Sequence, residues 1–185
     1  VFYIKKKGEK VSSKSGKIYE LFVARDVDSF NAEVSLIKRD PKTAKVIESE
    51  SIRGIAARTG QPKFYAKGYD YLRAKGGCPE GNLYLWINPK YIQQNGDLVA
   101  EGREIGQFYP ISSSEFNHRE IRNPEDPSQV RWDIGLHPDN AFRGSAGCVV
   151  IVRQSDFKAV DAWLDAAFKD GVEKVPFTVF RKQLS

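Results

Sequence analysis

Methionine is absent from this 185-residue chain, and histidine and cysteine occur only twice each. Two cysteines cannot knit a disulfide scaffold. The histidines and cysteines also lack the paired spacing of zinc ligands, so neither a metal nor a cofactor is expected. No run approaches the ~20 consecutive apolar residues that cross a bilayer, and no basic-then-apolar leader opens the chain. Because the chain begins at Val1 and holds no methionine, it reads as a processed or trimmed product, and the missing leader says little about a precursor. Repeats and low-complexity tracts are lacking. So is any interleaving of basic and aromatic residues of the nucleic-acid-binding kind, which removes nucleic acid from the expected partners.

What is present suits a globular domain. Hydrophobic residues make up 41% and charged residues 29%, enough apolar material for one core at this length. A single domain over residues 1–185 is expected, acting as a monomer. Residues 1–41 are either the opening strands of its sheet or a small accessory subdomain. The net charge of +5 favours an anionic partner surface, although the basic residues are dispersed apart from Lys5-Lys6-Lys7.

Periodicity reads as mainly β with one C-terminal helix. Phe2-Tyr3-Ile4 and Ile18–Val23 are aromatic and β-branched runs of strand type. Ala32–Lys38 and Ala44–Ile47 flank Asp40-Pro41-Lys42 as a hairpin. Ser51–Thr59 is a further strand candidate. Cys78-Pro79-Glu80-Gly81 is a turn that launches Leu83–Ile87, and Asn95-Gly96-Asp97 is a hairpin signal. Strand character resumes at Gly106–Ile111. Ser112–Gln129 is a polar insertion that carries His118, read as a surface histidine, and serves either as a solvated loop or as a lid. Ser155 caps a helix over Asp156–Lys169, whose Phe157, Val160, Leu164, Ala167 and Phe168 recur at helical spacing and mark a core face. Val175–Phe180 closes the chain as a strand.

The chemistry concentrates in Gly135–Ile151. His137 and Cys148 lie eleven positions apart, separated by loop-forming Pro-Asp-Asn and Arg-Gly-Ser-Ala-Gly. A thiol is nucleophilic as the thiolate and needs a base or positive charge to reach that form at neutral pH. Imidazole is the side chain suited to take the proton. Ile134 and Leu136 alternate with Asp133 and Gly135 in a short strand ending at His137, while Val149–Val152 reads as a buried strand behind Cys148. The amides of Gly147 and Cys148 are then candidates for an oxyanion hole. Cys78 reads as a packing or turn cysteine; its pairing with Cys148 would silence the nucleophile.

His137 followed by Ser145-Ala146-Gly147-Cys148 and an aliphatic strand resembles the catalytic motif of the L,D-transpeptidase domain, a cysteine acyl-transferase of bacterial peptidoglycan. Cys78-Pro79-Glu80-Gly81-Asn82-Leu83-Tyr84 is similar to an earlier landmark of that family. The likeness covers roughly residues 55–180 and belongs to a divergent branch: Ala146 replaces a larger residue, Val150 an Arg or Asn, and Pro138 a Gly. The resemblance implies an α+β, L,D-transpeptidase-like β-sandwich and a place in the cell envelope, periplasmic or secreted. It implies Cys148 as nucleophile, His137 as base, Ser145 and Gly147 as catalytic-loop residues, and Arg143 and Ala146 on the substrate side. Peptidoglycan stem peptides are then the partner. The alternatives are a non-catalytic wall-binding β-domain and a cysteine peptidase or amidase acting on another peptide.

Overall fold

The computed structural model describes residues 13–27, 29–60, 77–92, 99–100, 103–104, 107–139 and 147–184. The strand expected at Phe2–Ile4, the Lys5–Lys7 run, the Asn95–Asp97 turn and the loop residues Arg143, Ser145 and Ala146 lie outside them. Among the described residues the fold is mainly β with one α-helix near the C-terminus. Among the described residues no helix is long and apolar enough to cross a membrane.

Eight strands close into a barrel where the resemblance implies a sandwich. They are β1 (Ile18–Asp26), β2 (Asn31–Arg39), β3 (Ile52–Thr59), β4 (Gly81–Trp86), β7 (Tyr109–Ser112), β10 (Gly135–Pro138), β11 (Val149–Ile151) and β12 (Lys174–Lys182). Their order around the barrel is β1-β12-β4-β7-β10-β11-β3-β2. Closure rests on the parallel pairing of β1 with β12, which joins the first and last described strands and leaves neither as an open edge. β1 and β2 are therefore staves of the same barrel as the strands near Cys148. Two small pairs lie outside it: β5 (Val99–Ala100) with β6 (Arg103–Glu104), and β8 (Glu120–Arg122) with β9 (Val130–Trp132).

The register explains why this sequence closes. Leu21 stands beside both Phe177 and Leu36, Val23 beside Val179 and Val34, and Leu85 beside Val175 and Ile111. Ile151 stands beside Ala57, and Leu136 beside Val149 and Tyr109. All of these side chains are buried, so a belt of apolar groups runs round the inside and the intervening residues turn outward.

The helix α1 (Gln154–Lys169) adds Phe157, Val160, Trp163, Leu164 and Ala167 to the same core. Trp163 meets Tyr19 edge-on at 5.2 Å and donates its indole N–H to Glu50 O at 2.9 Å. Ser155 is inside the helix rather than its cap. Arg153 holds the N-cap position without a side-chain cap and pairs instead with Asp156 at 2.8 Å.

Two further expectations change. The hairpin across Asp40–Lys42 shrinks to one bridge, Arg39 to Val46, because Asp40 ties down the amides of Lys42 and Thr43 and a 3-10 turn (Glu48–Glu50) follows. The 112–129 insertion contains strand β8, and its irregular part, 123–129, is the tip of the β8–β9 hairpin.

Phe177 lies at the centre of the apolar belt. Phe177→Ala should lower the unfolding free energy by about 3–5 kcal/mol in urea denaturation. Phe116→Ala, at a side chain 94% exposed, should change it by no more than about 0.5 kcal/mol.

Candidate active site

β10 and β11 run parallel, with Leu136 beside Val149 and His137 beside Val150. Leu136 and Val149 are both fully buried in the core. Side chains of adjacent parallel strands point the same way, so Gly135 and His137 on β10 share the outer face with Cys148 and Val150. The two rare residues thus reach one face of the barrel wall, at the entrance to β11, from opposite ends of the 139–148 connection.

Gly135 lies between them for a steric reason. A Cβ there would fall 2.3 Å from Phe108 Cζ, so only glycine lets the phenyl ring settle on the strand. The ring also stacks on the His137 imidazole, with centroids 5.9 Å apart and planes 22° apart. Phe108, Val150 and the strand itself leave His137 only 7% exposed.

His137 Nδ1 is 2.8 Å from Pro138 O. A carbonyl oxygen can only accept, so Nδ1 carries the proton and Nε2 keeps its lone pair. Burial lowers the imidazole pKa, while the Pro138 hydrogen bond and the negative charge of Asp139 act the other way. The ring is therefore a neutral base at physiological pH. Asp139 pairs with Arg58 at 3.3 Å, and its amide donates to Ile151 O at 2.9 Å.

Cys148 Sγ lies 3.9 Å from Asp133 O. Desolvation pushes the thiol up to about 11. The amides of Gly135 and of Cys148 itself, together with the charge of Arg131, pull it back down, and the charge of Asp133 adds to the rise. Asp133 has a left-handed backbone, φ 55°, held by its amide on Arg119 O at 3.0 Å and by its carboxylate on Arg119 at 2.8 Å. Among the described residues, imidazole and thiol share no hydrogen bond. Burial disfavours the charged form of each group, the imidazolium of His137 and the thiolate of Cys148.

Gly147 is confined twice. Its φ is +123°, and a Cβ would fall 2.0 Å from Arg131 Nη2. Arg131, only 7% exposed, also donates from Nη1 to Gly77 O. The Cys78 amide donates to Thr59 Oγ1 at 2.6 Å, and Thr59 Oγ1 donates to Gly147 O at 3.4 Å. The turn that holds Cys78 therefore braces the turn that holds Cys148. Cys78 is a fully buried thiol pushed up to about 12 by desolvation, and both cysteines are thiols rather than a disulfide.

The structure thus gathers His137, Gly147 and Cys148; Ser145, Arg143 and Ala146 are outside the described residues. His118 packs against Tyr91 and Trp86, at ring distances of 4.6 and 6.1 Å. Arg131, Thr59, Phe108 and Gly135 were not singled out from the sequence. Only the glycine carried a signal, as a small residue interrupting a strand two positions before the histidine. No protein-family model matches this chain, and no curated protein matches it.

The raised thiol pKa sets a pH dependence. Thiolate is scarce below that pKa and grows tenfold per pH unit toward it. Alkylation of Cys148 by iodoacetamide, followed by peptide mass spectrometry, should therefore accelerate about tenfold per unit from pH 7 to about pH 10 without a plateau. A plateau near neutrality would show a pre-formed thiolate. Cys78 should stay unmodified until the protein is unfolded.

Proposed function

We propose that this chain is a cysteine acyl-transferase of the L,D-transpeptidase kind that acts on peptidoglycan stem peptides in the cell envelope. The observation that carries the reading is the shared outer face of His137 and Cys148, with Nδ1 committed to Pro138 O and Nε2 left as the base. The L,D-transpeptidase-like fold belongs to the same proposal, supported by the strand order of the motif and by the mainly β architecture.

Chemistry from a neutral pair runs by general-base catalysis. As Sγ bonds to the substrate carbonyl carbon, its proton passes to His137 Nε2. The Gly135 and Cys148 amides, aimed at the sulfur, stabilise the charge it carries as it loses its proton, and the electron pair of the C=O bond moves onto the substrate oxygen to give the tetrahedral intermediate. Collapse expels the D-amino acid, whose amine takes the proton from Nε2, and leaves a thioester on Cys148. An amine acceptor resolves it by cross-linking or exchange, and water resolves it by hydrolysis. Burial helps the transfer: it keeps the imidazole unprotonated before the attack and strengthens each dipole around the sulfur.

The thiol pushed up to about 11 favours a second reading, a wall-binding β-domain in which Cys148 is structural. A disaccharide tetrapeptide incubated with the protein separates the two. Loss of the terminal D-Ala or formation of a cross-linked dimer, read by mass spectrometry, is expected. Both Cys148→Ala and His137→Ala should reduce turnover by at least about a thousandfold. A folded protein that binds the wall yet leaves the tetrapeptide intact would sink the enzyme reading.

A further inference from the structure

Arg131 has an unusual place for a charged residue. β9 pairs only with β8, outside the barrel, and its neighbour Trp132 is 56% exposed. Alternation along the strand turns Arg131 the other way, into the protein. Burying a guanidinium is costly unless its donors are met, so a buried arginine needs a reason. One donor goes to Gly77 O. Its Nη2 and Cζ also lie beside the Cα of Gly147: a Cβ there would meet Nη2 at 2.0 Å, Cζ at 2.9 Å and Ile134 Cδ1 at 2.9 Å. The residue before Cys148 therefore gives up its side chain to admit a cation.

The same short segment wraps the thiol. Four residues after Arg131 come the Gly135 amide and, between them, the Asp133 carbonyl 3.9 Å from Sγ. Among the described residues, the charged and titratable groups around Cys148 are Arg131 on β9, Asp133 in the β9–β10 link, His137 on β10, and Cys78 on the braced turn, with Arg25 of β1 behind it donating to Cys78 O at 2.8 Å. Asp133 opposes a negative sulfur, but its carboxylate is engaged by Arg119 on the solvent side. Among the described residues, Arg131 is the cation packed directly on the turn that holds Cys148.

We propose that Arg131 is a positioning residue for Cys148: its guanidinium holds the Gly147–Cys148 turn against the 77–78 turn and supplies the positive charge that makes the thiolate accessible during attack. The proposal rests on reading Cys148 as the nucleophile, not on the identity of the peptide it attacks. It also explains the glycine of the Ser-x-Gly-Cys motif on steric grounds, since alanine at 147 and arginine at 131 cannot occupy their present places together.

The test is the iodoacetamide rate of Cys148 at pH 8.5 in the full chain, which needs no peptidoglycan and stands whether or not the tetrapeptide is a substrate. Arg131→Met removes the charge and keeps the length; a tenfold slower alkylation is expected, the equivalent of about one pKa unit. Arg131→Lys keeps the charge and should remain within about threefold of the parent. Gly147→Ala keeps the arginine but displaces it, and should slow alkylation like Arg131→Met. Far-UV circular dichroism confirms that each variant is folded. Equal rates for Met and Lys variants would overturn the proposal, since a purely packing role does not distinguish charge. So would a Gly147→Ala protein that alkylates at the parental rate, which is also the deciding arm if Arg131→Met does not fold.

Discussion

The parallel register of β10 and β11 is the constraint on which the candidate site depends. With Leu136 and Val149 committed to the core, alternation leaves no choice about the next residues: Gly135, His137, Cys148 and Val150 must face outward. A slip of one residue would drive the imidazole into the apolar interior and turn Leu136 out of it. The apolar belt of the whole barrel opposes such a slip, because β11 is locked to β3 through Ile151 and Ala57, and β10 to β7 through Leu136 and Tyr109. Core packing, rather than any contact between the two functional side chains, sets their common orientation.

Around that register the wall is filled by groups that only small residues permit. Phe108 lies where a side chain at Gly135 would be, and Arg131 lies where one at Gly147 would be. One substitution of hydrogen for methyl covers the histidine with an aromatic ring; the other places a guanidinium under the cysteine. The histidine is therefore enclosed, while Cys148 stays partly open to solvent. Desolvation raises the cost of charge on either partner and explains together the depressed imidazole and the elevated thiol.

Much of this was legible in the sequence, and the rest was hidden for identifiable reasons. Strand alternation at Ile134–Leu136 and the unbroken aliphatic run Val149–Val152 marked the strands beside His137 and Cys148, and the helical spacing of Phe157, Val160, Leu164 and Ala167 marked the core face of α1. Local patterns report which face of an element is apolar. They do not report which strand lies beside which, so the closure of β1 onto β12, and with it a barrel in place of a sandwich, was out of reach. Arg131 was hidden for the same reason: a lone arginine in a polar stretch looks solvated until the pairing of distant segments puts it inside. The cap at Ser155 was displaced by two residues, since the helix begins at Gln154 with Arg153 at the N-cap, and capping preference is a local bias of only about 1 kcal/mol.

The brace between the two cysteine-bearing turns ties the site to the remainder of the barrel. Thr59, at the end of β3, receives the Cys78 amide and reaches Gly147 O, while Arg131 crosses from Gly147 to Gly77 O. Both links are polar and both are buried, so loosening either would strand a donor or acceptor away from water. That cost resists motion of the Gly147–Cys148 turn independently of the apolar belt. It also gives Cys78 a structural role: a fully buried thiol needs no partner of its own, and its backbone amide and carbonyl do the holding, the latter through Arg25. Cys148 is thereby set on a framework of backbone groups from three separate parts of the chain, a rigidity that the proposed attack on a substrate carbonyl would need.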